Sequence, residues 1–336
     1  MKLIKTEDAV GHVLCHDITQ IIRGVTKDAV FRKGHIVTEA DIPVLLSVGK
    51  ENLYVWEQDE TMLHEDEAAE ILRDICIGGN MHATEPKEGK IELIADCDGL
   101  LKIDRAHLLN VNSLGEMMIA SRHGDTAVRA GDKIAGTRVI PLVIEKQKME
   151  AAKAYTGIFE IKPFLKKRTA VITTGSEVYK GRIKDAFTPV VEEKLAEYGA
   201  EIIGEKLCSD DHEMITAAIR EFLSRDAQLI VCTGGMSVDP DDRTPLAIKN
   251  TGAQIVSYGA PVLPGAMFLL AYNENGVPIM GLPGCVMYAK RTIFDLVLPK
   301  IMADERITAE ELAAYGEGGL CLNCAVCTYP NCGFGK

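Results

Sequence analysis

The spacing of hydrophobic and polar positions changes character near residue 168. Before it, apolar residues alternate over short stretches: Ile91-Glu92-Leu93-Ile94, Leu100-Leu101-Lys102-Ile103, Met117-Met118-Ile119 and residues 139–144. A period of two is what half-buried strands show, so residues 61–150 are predicted to form a small β-rich domain. Residues 1–60 read as an accessory segment of short strands (29–35 and 54–56) with one helix over 39–48, stopped at Gly49. An acidic run over 57–70 opens a helix that ends near Gly78-Gly79, and residues 146–154 are predicted to be a connecting helix.

From Arg168 strands and helices alternate. Ala170-Val171-Ile172-Thr173-Thr174 is a buried strand ending at Gly175, and a helix over 185–198 carries Pro189 in its first turn and Gly199 past its end. A strand over 201–207 leads to a helix with an apolar face of Ile215, Ile219, Phe222 and Leu223; Ser209-Asp210-Asp211 caps its start, with Glu213 completing a D-x-x-E capping box. A third strand covers 229–232, a hairpin joins 267–271 to 277–280 around Asn273-Glu274-Asn275-Gly276, and a last helix covers 286–302. Such alternation predicts an α/β domain over 166–303, with a mostly parallel sheet covered on both faces in three layers.

Composition narrows the function classes. At 336 residues the chain is long enough for two or three domains. A net charge of −12 repels a phosphate backbone, and only 5% aromatic residues leave little for base stacking, which argues against nucleic acid as the partner. The first residues lack an apolar leader, and no apolar run reaches the roughly 18 residues of a membrane span, so a cytoplasmic protein is expected. Of ten cysteines, six are scattered and read as reduced core residues.

Ligands of a parallel sheet sit at the carboxyl ends of its strands. Three glycine loops fall there: Thr174-Gly175-Ser176-Glu177, Thr233-Gly234-Gly235-Met236-Ser237 and Gly281-Leu282-Pro283-Gly284. Glycine lets backbone N–H groups approach a phosphate or pterin oxygen, although any one such loop can be only a tight turn. Carboxylates accompany two of the loops, Asp185 after the first and Asp241-Asp242 after the second. They could flank a Mg²⁺ beside an anionic ligand, or simply start helices.

Taken together, Thr173-Thr174-Gly175-Ser176-Glu177-Val178, Gly181-Arg182-Ile183-Lys184-Asp185, Asp210-Asp211, the second loop with Asp242, and Gly281-Leu282-Pro283-Gly284 resemble the molybdopterin-binding domain. That domain is shared by molybdopterin molybdenumtransferases and molybdopterin adenylyltransferases. Residues 7–14 and 128–133 are similar, more weakly, to the transferase's accessory regions. The resemblance implies that Thr174, Gly175, Ser176, Glu177, Gly234, Gly235, Ser237, Pro283 and Gly284 hold molybdopterin or its adenylylated form, an anionic pterin. It implies that Asp185 and Asp242 are the essential carboxylates, supporting Mg²⁺ and molybdate insertion. A homodimer and a client molybdoenzyme are further partners it suggests. The chain departs from the pattern at Cys285-Val286, where Asn-Pro is usual, at Val238-Asp239-Pro240-Asp241, where glycines are usual, and at Leu263-Pro264-Gly265-Ala266, which lacks lysines. Insertion of molybdate is therefore the first reading; cofactor binding, delivery or sensing without catalysis is a second, and an adenylyltransferase-like nucleotide enzyme a third.

Cys321, Cys324, Cys327 and Cys332 form a C-x2-C-x2-C-x4-C cluster in the last sixteen residues. Thiolates this close can share one metal centre: an iron–sulfur cluster, whose opening spacing this resembles, or a zinc ion. A redox-sensitive tail without metal is the other reading. Gly316-Glu317-Gly318-Gly319 reads as a flexible hinge, so residues 316–336 are expected to be a tail that the α/β core can lose without cost.

Overall fold

A computed structural model describes residues 2–22, 26–55 and 60–336. Trp56 of the predicted 54–56 strand and the start of the acidic run, residues 57–59, lie outside the described residues. The chain divides into two compact units. One holds the residues up to Asp96, Ile103–Arg122 and Ala130–Glu160; the other holds Cys97–Lys102, His123–Arg129 and Ile161–Lys336.

In the first unit, Lys2–Lys5 pairs antiparallel with Asn52–Val55, and Ile18–Ile22 with Thr26–Phe31, over a small core that includes Leu14, Ile18, Leu45 and Leu53. A helix, Glu65–Cys76, is capped by His64, whose ring accepts from Asp66 N–H. Beside it lies a four-stranded sheet in the order Met81–Ala83, Lys90–Ala95, Lys133–Val139, Met117–Ser121. The strand signal is real, but a second helix, Arg105–Ser113, interrupts it. Its Asp104 cap lies in a stretch with no clean apolar face, which hid it.

The second unit is the α/β domain. Its elements are β1 (Arg168–Thr174), α1 (Ser176–Tyr179), α2 (Phe187–Ala196), β2 (Glu201–Cys208), α3 (His212–Ser224), β3 (Leu229–Thr233), α4 (Thr244–Asn250), β4 (Gln254–Tyr258), β5 (Leu269–Tyr272), β6 (Pro278–Leu282), α5 (Ile293–Met302) and α6 (Ala309–Ala314). The sheet order is β2-β1-β3-β6-β5-β4. Strands β2, β1, β3 and β6 are parallel, and β5 and β4 add an antiparallel edge.

Strand pleating sorts the core into two halves. Val171, Val231, Met280 and Leu270 face α2 and α5, whereas Ala170, Ile172, Ile230 and Ile279 face α3 and α4. Helices on both sides of one sheet make the expected three layers. Of the capping stretch Ser209-Asp210-Asp211, it is Asp211 that caps α3, accepting from Glu213 N–H at 2.9 Å, and the box from Asp210 to Glu213 does not form.

The tail also differs. Phe334 is buried in the same apolar cluster as α5, and half-buried Tyr329, Cys321 and Cys332 pack against that cluster. Tyr329 Oη donates to Asp295 O at 2.7 Å. The glycines before it are no flexible hinge, because a Cβ on Gly318 or Gly319 would overlap neighbouring carbonyl oxygens. Close backbone packing, and not freedom, accounts for those glycines.

Candidate functional site

Chain order makes the site. From β1 the chain runs to β2 on one side, then through α3 to β3 on the other side of β1. The crevice at such a reversal lies outside the carboxyl ends of the two strands on either side of it, here β1 and β3. Thr174-Gly175 leaves β1 and Gly234-Gly235 leaves β3, so the first two glycine loops meet there, and Pro283-Gly284 leaves β6, the next strand along.

The first two loops interlock. A Cβ on Gly234 would run into Thr174 O, and one on Gly235 would stand 3.0 Å from Thr244 Oγ1; both glycines have positive φ, +84° and +55°. Thr244 Oγ1 donates to Gly234 O at 2.8 Å, so its 3.2 Å bond to Thr174 Oγ1 takes the Thr174 proton. Thr174 and Thr244 are both buried. Thr233 Oγ1, at the end of β3, is buried without a hydrogen-bond partner among the described residues, a shortage that is rare in folded proteins. Ser237 is exposed on the second loop, and Tyr258 Oη ties that loop down by donating to Met236 O at 3.0 Å. Burial raises the Tyr258 phenol above its ordinary range, and the Asp242 carboxylate adds to the rise.

On the first loop, Gly175 adopts φ +146°, Ser176 opens α1 and Glu177 is exposed. Ser176 N–H donates to Asp210 Oδ2 at 2.8 Å. Asp210, grouped with the cap of α3 in the sequence, holds the first loop instead. Two successive aspartates before a helix were the available signal, since only one can cap it. Pro283 is buried, and Gly284 is exposed with open space where a Cβ would go, its nearest neighbour being Phe187 at 4.0 Å. Of the matched glycines, then, Gly234 and Gly235 are required by packing, while Gly284 is free of it.

The two candidate carboxylates sit differently. Asp185 Oδ1 accepts from Phe187 N–H (2.8 Å) and Thr188 N–H (3.1 Å), so it caps α2. Its Oδ2 takes the Thr188 hydroxyl proton, so the 2.7 Å bond between Thr173 and Thr188 is donated by Thr173. A relay of hydroxyls thus runs from the end of β1 to Asp185. Asp242 caps nothing: Thr244 starts the helix, and Asp242 Oδ2 accepts from Asp239 N–H at 3.0 Å within its own turn. Arg182, Lys184 and Arg243 are exposed near these loops in sequence and make no ion pair among the described residues, which leaves positive charge for an anion.

Burial with Glu205 and Asp185 nearby raises the Glu192 carboxyl, desolvation being the larger effect and a hydrogen bond to Glu205 the next. The four tail cysteines are all unbridged and line one cavity with residues 288–291, just beyond the third loop. Among the described residues no three His, Cys, Asp or Glu side chains are grouped closely enough to hold a metal ion as they stand.

A family model described as "Probable molybdopterin binding domain" matches residues 170–303. Over those residues, less than half of the chain, the sequence is similar to that family. Residues 3–57 match a domain of unknown function (DUF8806). The chain is 25% identical over 178 residues to a molybdopterin molybdenumtransferase of Synechococcus elongatus, covering 50% of this chain and 42% of that one. It therefore spans less than half the length of that relative. A CinA-like protein of Mycobacterium avium is 35% identical over 77 residues, 23% of this chain and 18% of that one. Among solved structures, the molybdopterin biosynthesis enzyme MoaB of Thermus thermophilus matches at 21% identity and a TM-score of 0.35, covering 41% of this chain and 98% of that chain. The matched stretch contains all three glycine loops, Asp185, Asp210 and Asp242, and stops short of the cysteine tail. None of the described helices is long and apolar enough to cross a membrane.

Proposed function

We propose that the crevice at the ends of β1, β3 and β6 binds molybdopterin or its adenylylated form, and that the chain inserts molybdate into it during cofactor assembly. The observation that carries this is the interlock of Thr174, Gly234 and Thr244 at the strand-order reversal. It presents two glycine loops as one rigid backbone surface, with an open third loop at Gly284 and exposed Arg182, Lys184 and Arg243 for the anionic ligand.

Asp185 and Asp242 would hold a Mg²⁺ from opposite loops. A carboxylate offers about four lone-pair positions, and three donors on Asp185 leave roughly one free. Asp242 has more to spare, with one donor on Oδ2. Mg²⁺ typically takes only one or two protein carboxylates and fills its shell with water and phosphate oxygens, so this donor set fits. When bound, the ion would neutralise charge developing on phosphate and molybdate oxygens. The tail cysteines would hold, independently of the pterin site, an iron–sulfur cluster or a zinc ion.

One observation favours a second reading, binding or delivery of the finished cofactor without turnover. Asp185 is already engaged as the cap of α2, which a carboxylate free for catalysis would not be. Anaerobic calorimetry with molybdopterin, followed by a molybdate-insertion assay with Mg²⁺, separates the two. Binding with turnover supports the transferase, binding alone supports delivery, and absence of binding removes both.

A further inference from the structure

The cysteine cavity is built onto the segment that begins at the third glycine loop. It encloses about 410 Å³, and Cys321, Cys324, Cys327 and Cys332 share its wall with Tyr288 and Lys290. The cysteine segment is fixed at both ends. Cys321 N–H donates to Leu263 O at 2.8 Å, while Tyr329 is bonded to Asp295 O and Phe334 is buried in the core. Between these anchors the segment is tied to the domain by Lys290, whose Nζ donates to Ala325 O at 2.8 Å and Cys324 O at 3.2 Å. Lys290 makes no ion pair among the described residues, and its own carbonyl accepts from Lys194 Nζ at 3.1 Å.

Cys321 and Cys332 are half-buried against the core, whereas Cys324 and Cys327 are exposed. Bringing four thiolates onto one centre therefore has to draw the exposed pair inward. That movement carries Ala325 O and Cys324 O, the two acceptors of Lys290. Lys290 lies six residues beyond Gly284, with the short 3₁₀ turn Gly284–Met287 between them. The metal cavity and the pterin loop thus share one segment.

We propose that the four tail cysteines bind a single metal centre in this cavity, and that its loading sets the conformation of residues 284–291 and so regulates pterin binding at the third loop. The regulation rests on the pterin reading above; the metal site does not. In ligation each thiol gives its proton to solvent and four metal–sulfur bonds replace metal–water bonds, so a bound Zn²⁺ leaves a charge of about −2. The unpaired Lys290 ammonium is placed to offset part of that charge.

The test uses full-length protein purified anaerobically. Its iron, zinc and acid-labile sulfide content identifies the native centre. Metal-free protein is then titrated with Zn²⁺ alone while reactive thiols are counted, and amide hydrogen exchange is followed over residues 284–291. The Cys324→Ser/Cys327→Ser variant changes only exposed side chains and should fold as the parent does. The expected result is one centre per chain, protection of the tail thiols, slower exchange over 284–291, and a change in molybdopterin affinity of about tenfold, all lost in the variant. Tail thiols that stay reactive with Zn²⁺ present and no native metal would overturn the site. Metal uptake with unchanged exchange over 284–291 would overturn the coupling. Slower exchange in a protein that binds no molybdopterin with or without metal would refute the pterin reading and the regulation together, and leave the metal site standing.

Discussion

A Cβ on Gly234 would collide with the carbonyl oxygen of Thr174, so the second glycine loop rests directly on the end of the first strand. Substitution there tests packing more than ligand contact. Gly234→Ala should lower stability by about 2–4 kcal/mol, from the positive φ and the overlap combined. Gly284→Val meets open space and should leave the urea midpoint nearly unchanged while weakening molybdopterin binding by calorimetry. Full affinity in a folded Gly284→Val protein would remove the third loop from the site. Gly235→Val is less informative, since its side chain would press on Thr244 and Thr174 at positive φ.

The two aspartates should separate cleanly. Asp185→Ala removes the cap of α2 and should cost about 1–2 kcal/mol. Asp242→Asn keeps an oxygen for Asp239 N–H and should change stability by less than about 0.5 kcal/mol. If Asp242 holds Mg²⁺, the amide abolishes Mg²⁺-dependent insertion without loss of pterin binding. Normal insertion by the Asn variant would reduce Asp242 to a turn residue.

Glu65 gives the first unit a pH dependence. Burial, with Asp66 and Glu88 adding to it against Arg138 and Lys33, pushes its carboxyl from 4.5 to about 7. The folded state holds this proton more tightly than the unfolded chain, so the stability it contributes is complete below pH 4.5 and is lost as pH rises to about 7. Glu65→Gln should flatten thermal stability across that window and exceed the parent above pH 7. An unchanged pH profile in the variant would show that another group sets it.

Phe334 makes the tail part of the domain. Phe334→Ala should cost roughly 3–5 kcal/mol, and truncation after Tyr315 at least as much, read as a lower thermal midpoint. A truncated domain as stable as the full chain would restore the free-hinge view of Gly316 to Gly319.

Strands β1 and β3, the hairpin and the three glycine loops were legible because their signals are local: unbroken apolar runs ending in glycine. Strand β4 was not. It is a half-exposed edge, Gln254 and Ser257 dilute its apolar pattern, and a register shift between Ile255 and Ser257 breaks its alternation. Helix α4 is a single short stretch of seven residues with Pro245 in its first turn, too brief for its period to show. Residues 97–102 and 123–129 fall within the segment read as a β-rich domain, yet they group with the α/β domain, where Val128 pairs with Gly99. Long-range pairing of this kind leaves no mark on local spacing. The same holds for Asp210 and Phe334, whose roles depend on partners 34 residues or more away or on a shared core.

Met236, buried at the root of the second loop, fills the space over Gly281 on β6: a Cβ there would stand 2.6 Å from the Met236 sulfur. One thioether therefore packs the second loop against the strand that carries the third. Conversion of that sulfur to the sulfoxide adds an oxygen and a dipole where there is room for neither. Sulfoxide at Met236 would therefore push the second loop away from β6, and methionine sulfoxide reduction would restore the contact.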